Sequence, residues 1–211
     1  MEKSVGILCP VSVLPSKQGI GDFGKSAYDF IDKLYQSHIT TWQILPLNPL
    51  GYGNSPYQPL SSKAGDEIYI DVNQWVEEGL LTSDEIYISK QQGDFLDYIQ
   101  VRKEKEKLYQ KAFHRFQMTE EYQAFIDENS WVYDYAVYRV FKNHNQQKSW
   151  LEWQDKYKYY NQNQSFTLTP FLKEIDYQIF LQYYFFLQWN KLKDYAHQKG
   201  ISIIGDMPIY G

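Results

Sequence analysis

Two short apolar segments that flank one amphipathic stretch constrain the fold of this chain more than any other feature. Residues 5–14 and 41–47 are each predicted to form a buried strand. The stretch between them is predicted to be a helix with one buried face, formed by Ala27, Phe30, Ile31 and Leu34. Strand, helix and strand joined by short links are typical of a βαβ unit, so the chain is predicted to be an α/β protein with a parallel sheet.

The pattern is clearest in the last forty or so residues. A long apolar-rich helix is predicted from about residue 175 to 198, followed by Gly200, a residue type that often ends helices in the left-handed conformation. A third strand is predicted over residues 201–204, and Asp206 follows it closely. Because barrels and open α/β sheets bind ligands at the carboxyl ends of their strands, Asp206 is a candidate ligand-facing carboxylate. The alternative is a turn-capping aspartate or one paired with a basic neighbour.

A mainly helical region separates the second strand from the third. We predict three segments: 1–73 with the first strands, 74–170 as a helical inserted subdomain, and 171–211 with the last helix and strand. The charged run from Arg102 to Lys107 is interpreted as a solvated helix face. Thr119 is predicted to cap a short helix, and Ser26 with Asp29 to form a capping box on the helix between the first two strands.

Composition excludes several classes of function. The 211 residues carry a net charge of −5, which disfavours binding to nucleic acid or to an anionic membrane surface. A single cysteine, Cys9, excludes an internal disulfide and a cysteine-pair zinc site, and the scattered histidines lack metal-ligand spacing. No apolar run reaches about 18 residues and no secretory signal is evident, so we expect no membrane segment and a cytoplasmic location. Aromatic residues make up 18% of the chain, which fits a large core, a sugar-binding surface, or both.

The loop from Gly19 to Gly24 matches the glycine spacing of dinucleotide-binding loops. Four residues separate it from Leu14, however, and the second strand does not end in the acidic residue that the fingerprint requires. Asp22 inside the loop would also repel a pyrophosphate. The loop is therefore interpreted as a structural turn.

A second loop combines turn residues with exposed-type aromatics. Its core is Ser55-Pro56-Tyr57-Gln58-Pro59, preceded by Gly51-Tyr52-Gly53-Asn54. One interpretation is a rigid turn. The other is a sugar site, since a fixed tyrosine ring offers a flat apolar face beside a hydroxyl and an amide that can bind sugar hydroxyls.

Taken together, these motifs resemble glycoside hydrolase family 77, the 4-α-glucanotransferases or amylomaltases. The segments that carry the resemblance are Gly6-Ile7-Leu8, Leu14-Pro15-Ser16, Gly19–Gly24, Trp42–Leu47, Gly51–Gln58 and Ile204–Ile209. The resemblance implies a (β/α)8 TIM barrel, of which this chain holds the first strands and a helical inserted subdomain. It implies a retaining mechanism in which one carboxylate forms a covalent glucosyl-enzyme and a second acts as acid and base, without a cofactor or metal.

The resemblance also assigns roles in binding α-1,4-glucans such as maltose, maltotriose and longer maltodextrins. Asp206 is expected to hydrogen-bond the sugar at the cleavage site, Tyr57 to stack on that sugar, and Ser55 to contact it. Tyr52 is similar to a tyrosine of a second glucan-binding position. The family's catalytic carboxylates are expected beyond Gly211, so this chain alone is expected to be an inactive, self-associating N-terminal fragment.

Three rival functions remain open at this level. One is a hydrolase of the α-amylase clan, which the later strands and the acceptor site would distinguish. Another is a non-catalytic glucan-binding protein that uses Tyr57 and Asp206 without the catalytic acids. Acidic residues at the ends of later strands would argue against the second of these. A helical interaction protein would place all the aromatics in its core and leaves the Ser-Pro-Tyr-Gln loop unexplained.

Overall fold

The apolar segments form one small parallel sheet. The computed structural model describes residues 5–51, 55–86 and 97–207. Its strands are β1 (Gly6–Leu8), β2 (Thr41–Gln43) and β3 (Ser202–Ile204). They lie in the order β1-β2-β3, and both pairings are parallel, which confirms the predicted parallel sheet.

The strands are paired in register, so their carboxyl ends are level. Gln43 at the end of β2 lies opposite Leu8 of β1 and Ile204 of β3. The loops that follow the three strands therefore leave the sheet at the same edge. This edge is where the candidate site residues were expected.

The strands are shorter than predicted because prolines interrupt the apolar segments. Pro10 has no N–H to donate to a ladder, and the chain turns there into a 3₁₀ helix, Val11–Val13. Predicted strands over 5–14 and 41–47 are therefore reduced to three residues each. Beyond these ends, Val11, Leu14 and Ile44 are buried, whereas Val13 is 65% exposed.

The described part of the chain contains seven α-helices. They are α1 (Lys25–Gln36), α2 (Asn73–Glu77), α3 (Tyr98–Arg115), α4 (Glu120–Glu128), α5 (Trp131–His144), α6 (Asp155–Lys158) and α7 (Leu172–Gln198). Helix α7 ends as predicted, with Gly200 at a φ of +73°. None of these helices is long and apolar enough to cross a membrane.

Helix α1 packs on the sheet through aromatic rings. Trp42 of β2 is fully buried, and its indole N–H donates to the carbonyl oxygen of Cys9 at 2.8 Å. Phe30 meets the Trp42 ring edge-on, with 5.1 Å between ring centroids. The predicted capping box on this helix was wrong: Gly24 is the N-cap and no side chain caps it, while Asp29 pairs with Lys25.

The described chain separates into two compact units. Met118–Tyr183 forms the second unit, and the remainder forms the first. The prediction placed the helical subdomain at 74–170. Residues 74–117 fall in the first unit, because side-chain hydrogen bonds join α3 to the segment 66–70. The start of α7 falls in the second unit.

The interpretation of the charged run on α3 as a solvated face was wrong for two of its residues. Arg102 pairs with the fully buried carboxylate of Asp66. Lys105 is itself fully buried, and its ammonium group donates to the carbonyl oxygens of Ile68 at 2.6 Å and Ile70 at 2.9 Å. Burial lowers the pKa of Lys105. A buried charge persists only with such partners, and a single sequence does not reveal them.

The second unit has an aromatic core. The rings that surround Phe141, with centroids 5.0–5.8 Å from its own, are Tyr157, Tyr160, Phe166 and Phe171. Helix α4 begins as predicted, because the Thr119 hydroxyl oxygen accepts a hydrogen bond from the Tyr122 N–H at 3.2 Å.

Candidate functional site

Two of the predicted site residues, Tyr57 and Asp206, meet in the structure. The Tyr57 hydroxyl donates to Oδ2 of Asp206 at 2.9 Å, although 149 positions separate the two residues in the sequence. The contact lies beyond β3, at the carboxyl edge of the sheet. A tyrosine ring and a carboxylate thus face the same partly exposed space.

Asp206 is held by its own local backbone. Its other carboxylate oxygen, Oδ1, accepts a hydrogen bond from the Met207 N–H at 2.9 Å. The preceding strand is anchored where the Ile44 N–H donates to the Ile204 carbonyl oxygen at 2.9 Å. Within the described residues, no cation lies within salt-bridge distance of Asp206. The carboxylate therefore keeps lone pairs that a ligand hydroxyl can use.

A hairpin-like loop presents Tyr57. The Gly51 N–H donates to the Gln58 carbonyl oxygen at 3.1 Å, and the Leu60 N–H donates to the Pro49 carbonyl oxygen at 2.9 Å. A methyl group at Gly51 would lie 2.2 Å from that Gln58 oxygen, so only glycine fits. These bonds close the loop at its base, and the Tyr57 side chain, next to Gln58, is 36% exposed.

Of the two other predicted site residues, Ser55 and Tyr52, the structure describes only Ser55. The Ser55 hydroxyl oxygen accepts from the Tyr57 N–H at 3.3 Å, so in this structure Ser55 supports the turn that carries Tyr57. Tyr52 lies outside the described residues. Sequence reasoning missed Asp66, whose carboxylate accepts from the Leu50 N–H at the base of the loop. The sequence feature that could have indicated Asp66 is an acidic residue next to the apolar pattern of Ile68 and Ile70.

The Asp206 carboxylate changes the acidity of its partner. It accepts the Tyr57 hydroxyl proton in a hydrogen bond and raises the pKa of Tyr57 above its ordinary value, with burial and the negative charge acting in the same direction. The neutral phenol is the form that makes this bond. The contact is therefore present below the Tyr57 pKa and is lost as pH rises through it.

Replacing Asp206 by asparagine is expected to bring the Tyr57 pKa back down toward the ordinary tyrosine value, since the anionic acceptor is removed. Titration of tyrosine ring-carbon NMR signals in the labelled protein measures this, and Tyr57→Phe identifies the Tyr57 signal. An unchanged Tyr57 pKa in Asp206→Asn would contradict the observed contact.

The Gly19–Gly24 loop is a structural turn. The carboxylate of Asp22 in this loop occupies the start of helix α1, where a bound phosphate would have to lie. The buried Asp22 carboxylate accepts from the Gly24 N–H at the start of α1 and from the Ser16 hydroxyl, both at 3.0 Å. Burial raises the pKa of Asp22, opposed by the positive charge of Lys105. A helix start filled by a carboxylate in this way is not available to a pyrophosphate.

A groove of about 750 Å³ lies beside this turn, and neither Tyr57 nor Asp206 lines it. Its walls come from the start of α1, from Asp71 and from Gln188 of α7. Both functional groups of the Gln188 amide are engaged by the Asp71 backbone, at 2.8 and 3.0 Å. In the described part of the chain, no cluster of three or more acidic, histidine or cysteine side chains could hold a metal ion.

Comparison with known proteins places this geometry in a family. Residues 9–211 match the family model of glycoside hydrolase family 77, described as 4-alpha-glucanotransferase. The chain belongs to this family. The match begins directly after β1 and covers both loops of the candidate site.

Curated relatives of family 77 are similar over nearly the whole of this chain. A 4-alpha-glucanotransferase of Clostridium butyricum is 42% identical over 95% of the chain, and one of Aquifex aeolicus is 40% identical over 97%. In both cases the matched part is 42% of the relative's length. The chain thus spans about two fifths of the relatives that it matches.

Solved structures of family 77 agree with the fold. An amylomaltase from Streptococcus agalactiae in complex with acarbose superimposes with a TM-score of 0.89 at 35% identity, over 99% of this chain and 44% of that one. An amylomaltase from Corynebacterium glutamicum superimposes with a TM-score of 0.75 at 17% identity, over 98% of this chain and 30% of that one. The second likeness concerns the fold alone.

Proposed function

We propose that this protein is a 4-α-glucanotransferase that transfers α-1,4-glucan segments between maltodextrins with retention of configuration. The observation that carries the proposal is the contact of Tyr57 with Asp206 at the carboxyl edge of a parallel sheet. Membership of family 77 and the acarbose complex of the Streptococcus agalactiae amylomaltase support it.

In this proposal, Tyr57 and Asp206 bind one glucose ring of the substrate. The ring face of Tyr57 packs against the C–H groups of the sugar, and the Asp206 carboxylate accepts hydrogen bonds from its hydroxyls. Ser55 contacts the same sugar while supporting the loop, and Tyr52 belongs to a second glucan-binding position. Since Asp206 already accepts the Tyr57 hydroxyl, a sugar hydroxyl enters an acceptor site that is oriented in advance.

The chemistry of transfer follows from the retaining mechanism. A carboxylate attacks the anomeric carbon, and the glycosidic oxygen leaves with a proton from a second carboxyl group. An acceptor sugar hydroxyl then attacks the covalent glucosyl-enzyme, its proton passes to the second carboxylate, and the bond to the first carboxylate breaks. Transfer exceeds hydrolysis when the site binds the acceptor and excludes water. We propose that both carboxyl groups lie beyond Gly211, so that this chain contributes substrate-binding residues only and is inactive alone.

We further propose that the sheet is the beginning of a (β/α)8 barrel and that the helical subdomain is an insertion in it. Exposed apolar side chains on the sheet support this, since Leu8 is 57% and Ile204 50% exposed. Such side chains are ordinarily covered by further strands, and uncovered they favour self-association. A cytoplasmic enzyme acting on starch- or glycogen-derived maltodextrins fits the proposal.

Titration of maltotriose and acarbose into the protein, followed by tryptophan fluorescence or calorimetry, tests the binding role. We expect Asp206→Asn to weaken binding by roughly 10- to 150-fold, because hydrogen bonds to a charged group are worth about 1.5–3 kcal/mol. We expect Tyr57→Ala to abolish detectable binding, because it removes the ring on which the sugar packs. Tyr57→Phe keeps the ring and should weaken binding less than either.

Tyr35→Ala is the matched control, because Tyr35 is also an exposed tyrosine but lies on α1. Its affinity for maltotriose should equal that of the unmodified protein. Unchanged affinity in both Tyr57→Ala and Asp206→Asn would refute the site assignment. Incubation with maltotriose and analysis for longer maltodextrins tests the expected inactivity, which product formation would overturn.

A further inference from the structure

We propose that the ion pair between Arg102 and Asp66 holds the loop that presents Tyr57 in place. Arg102 and Asp66 are thus positioning residues for glucan binding. The proposal rests on the function proposed above for Tyr57. It concerns residues that touch neither the sugar-facing ring nor Asp206. The observation behind the proposal is that the hydrogen bonds of the Asp66 carboxylate join helix α3 to the base of the loop.

The Asp66 carboxylate is fully buried and satisfies four donors. Its Oδ1 accepts from Nη1 of Arg102 at 2.9 Å and from the Ile68 N–H at 3.0 Å. Its Oδ2 accepts from Nη2 of Arg102 at 2.5 Å and from the Leu50 N–H at 3.3 Å. A carboxylate has about four acceptor positions, so none is left over. Any rotation of this side chain therefore leaves a buried donor without an acceptor.

The Leu50 N–H is the point at which this carboxylate reaches the loop. Leu50 pairs with Pro59 across the base of the hairpin, one residue from the two backbone bonds that close it. The backbone on either side is joined as well, because the Asp66 N–H donates to the Leu47 carbonyl oxygen at 2.8 Å. The Asn48 side-chain amide donates to the Ala64 carbonyl oxygen at 3.0 Å. The position of Asp66 thus sets the position of the hairpin base.

Three side chains of α3 bind the segment 66–70, but only one of them connects to the loop. Lys105 and Tyr109 donate to backbone carbonyl oxygens, the latter to that of Glu67 at 2.6 Å. Arg102 alone among the three binds the carboxylate that also accepts the Leu50 N–H. Its planar guanidinium group fixes both carboxylate oxygens at once, which a lysine ammonium group cannot do.

The test compares Arg102→Lys with Tyr109→Phe in the full chain. Both remove a hydrogen bond between α3 and the segment 66–70, but only Arg102→Lys loosens the carboxylate that holds Leu50. We expect amide hydrogen exchange at Gly51 and Leu60, measured by NMR, to accelerate by about tenfold or more in Arg102→Lys and to stay near the unmodified rate in Tyr109→Phe. The Tyr57 pKa should fall toward its ordinary value in Arg102→Lys only.

Affinity for maltotriose should fall in Arg102→Lys and stay unchanged in Tyr109→Phe. Equal exchange at Gly51 and Leu60 in the two variants, or an unmoved Tyr57 pKa in Arg102→Lys, would overturn the positioning role. If the unmodified chain fails to bind maltotriose, the proposed function fails, while the exchange rates and the Tyr57 titration still decide the role of the pair.

A second variant covers the case in which Arg102→Lys does not fold. Replacing Leu50 by its α-hydroxy acid turns the amide into an ester and removes the loop N–H that donates to Asp66, leaving both members of the ion pair intact. Faster exchange at Leu60 and a lower Tyr57 pKa are expected. Unchanged values of both would show that the contact does not position the loop.

Discussion

Asp66→Ala is expected to lower the free energy of unfolding by about 3–5 kcal/mol, the usual loss when one member of a buried ion pair is removed. The carboxylate is fully buried, and its removal leaves Arg102 with only its longer contact to Glu67, at 3.5 Å. The N–H groups of Ile68 and Leu50 also lose their acceptor. In the unmodified protein burial lowers the pKa of Arg102, and the charge and hydrogen bond of Asp66 raise it above its ordinary value. Arginine does not lose its proton in proteins, so the guanidinium group of the variant cannot become neutral to relieve the loss. Urea unfolding followed by tryptophan fluorescence measures the effect.

Asp29→Ala provides the control for this loss. Asp29 also pairs with a basic side chain, that of Lys25, but the two side chains are 48% and 85% exposed. Exposed pairs of this kind contribute about 0–1 kcal/mol, so its unfolding midpoint should hardly move. Equal losses in Asp29→Ala and Asp66→Ala would show that burial of the Asp66 carboxylate does not govern its contribution.

Gly21→Ala is expected to reduce the free energy of unfolding by about 3 kcal/mol or more, at the upper end of what overpacking does in cores. A methyl group at this position would lie 1.9 Å from the Val11 carbonyl oxygen and 2.8 Å from the Leu14 backbone nitrogen. These are backbone atoms of the turn after β1 and cannot rotate aside. Gly21 also donates its own N–H to the Ser12 carbonyl oxygen at 3.0 Å, which ties it to that turn.

Thermal unfolding of Gly21→Ala beside Gly205→Ala separates this clash from a general effect of removing glycine. Nothing in the structure lies within 4 Å of a methyl group at Gly205, so its stability should change by less than about 1 kcal/mol. A Gly21→Ala protein as stable as Gly205→Ala would mean that the turn after β1 shifts freely to make room.

The sheet and the candidate site were predictable because they depend on patterns along the chain. The apolar periodicity of α1 and the glycine after α7 indicated two helices that the structure confirms. The order of strands and helices then placed Asp206 at the carboxyl edge of the sheet. The turn chemistry around Pro56 and Pro59 indicated a rigid loop, and the structure brings its tyrosine to the aspartate.

The remainder depends on partners that lie far away in the sequence. A run of charges on α3 looked solvated, yet Lys105 is buried because Ile68 and Ile70 turn their carbonyl oxygens toward it. Ser26 and Asp29 had the spacing of a capping box, but Gly24 begins the helix and Asp29 binds a lysine instead. Local sequence fixes which groups need a partner, and only the three-dimensional structure identifies that partner.

The pairing of β2 with β3 has a consequence for biosynthesis. Thr41 and Ser202 are neighbours across roughly 160 positions of sequence, with the whole second unit encoded between them. During translation, β2 therefore cannot pair with β3 until the ribosome has added those residues. Contacts between such distant positions form slowly, so the nascent polypeptide exposes one side of that strand while those residues are added, a period in which chaperones can bind it.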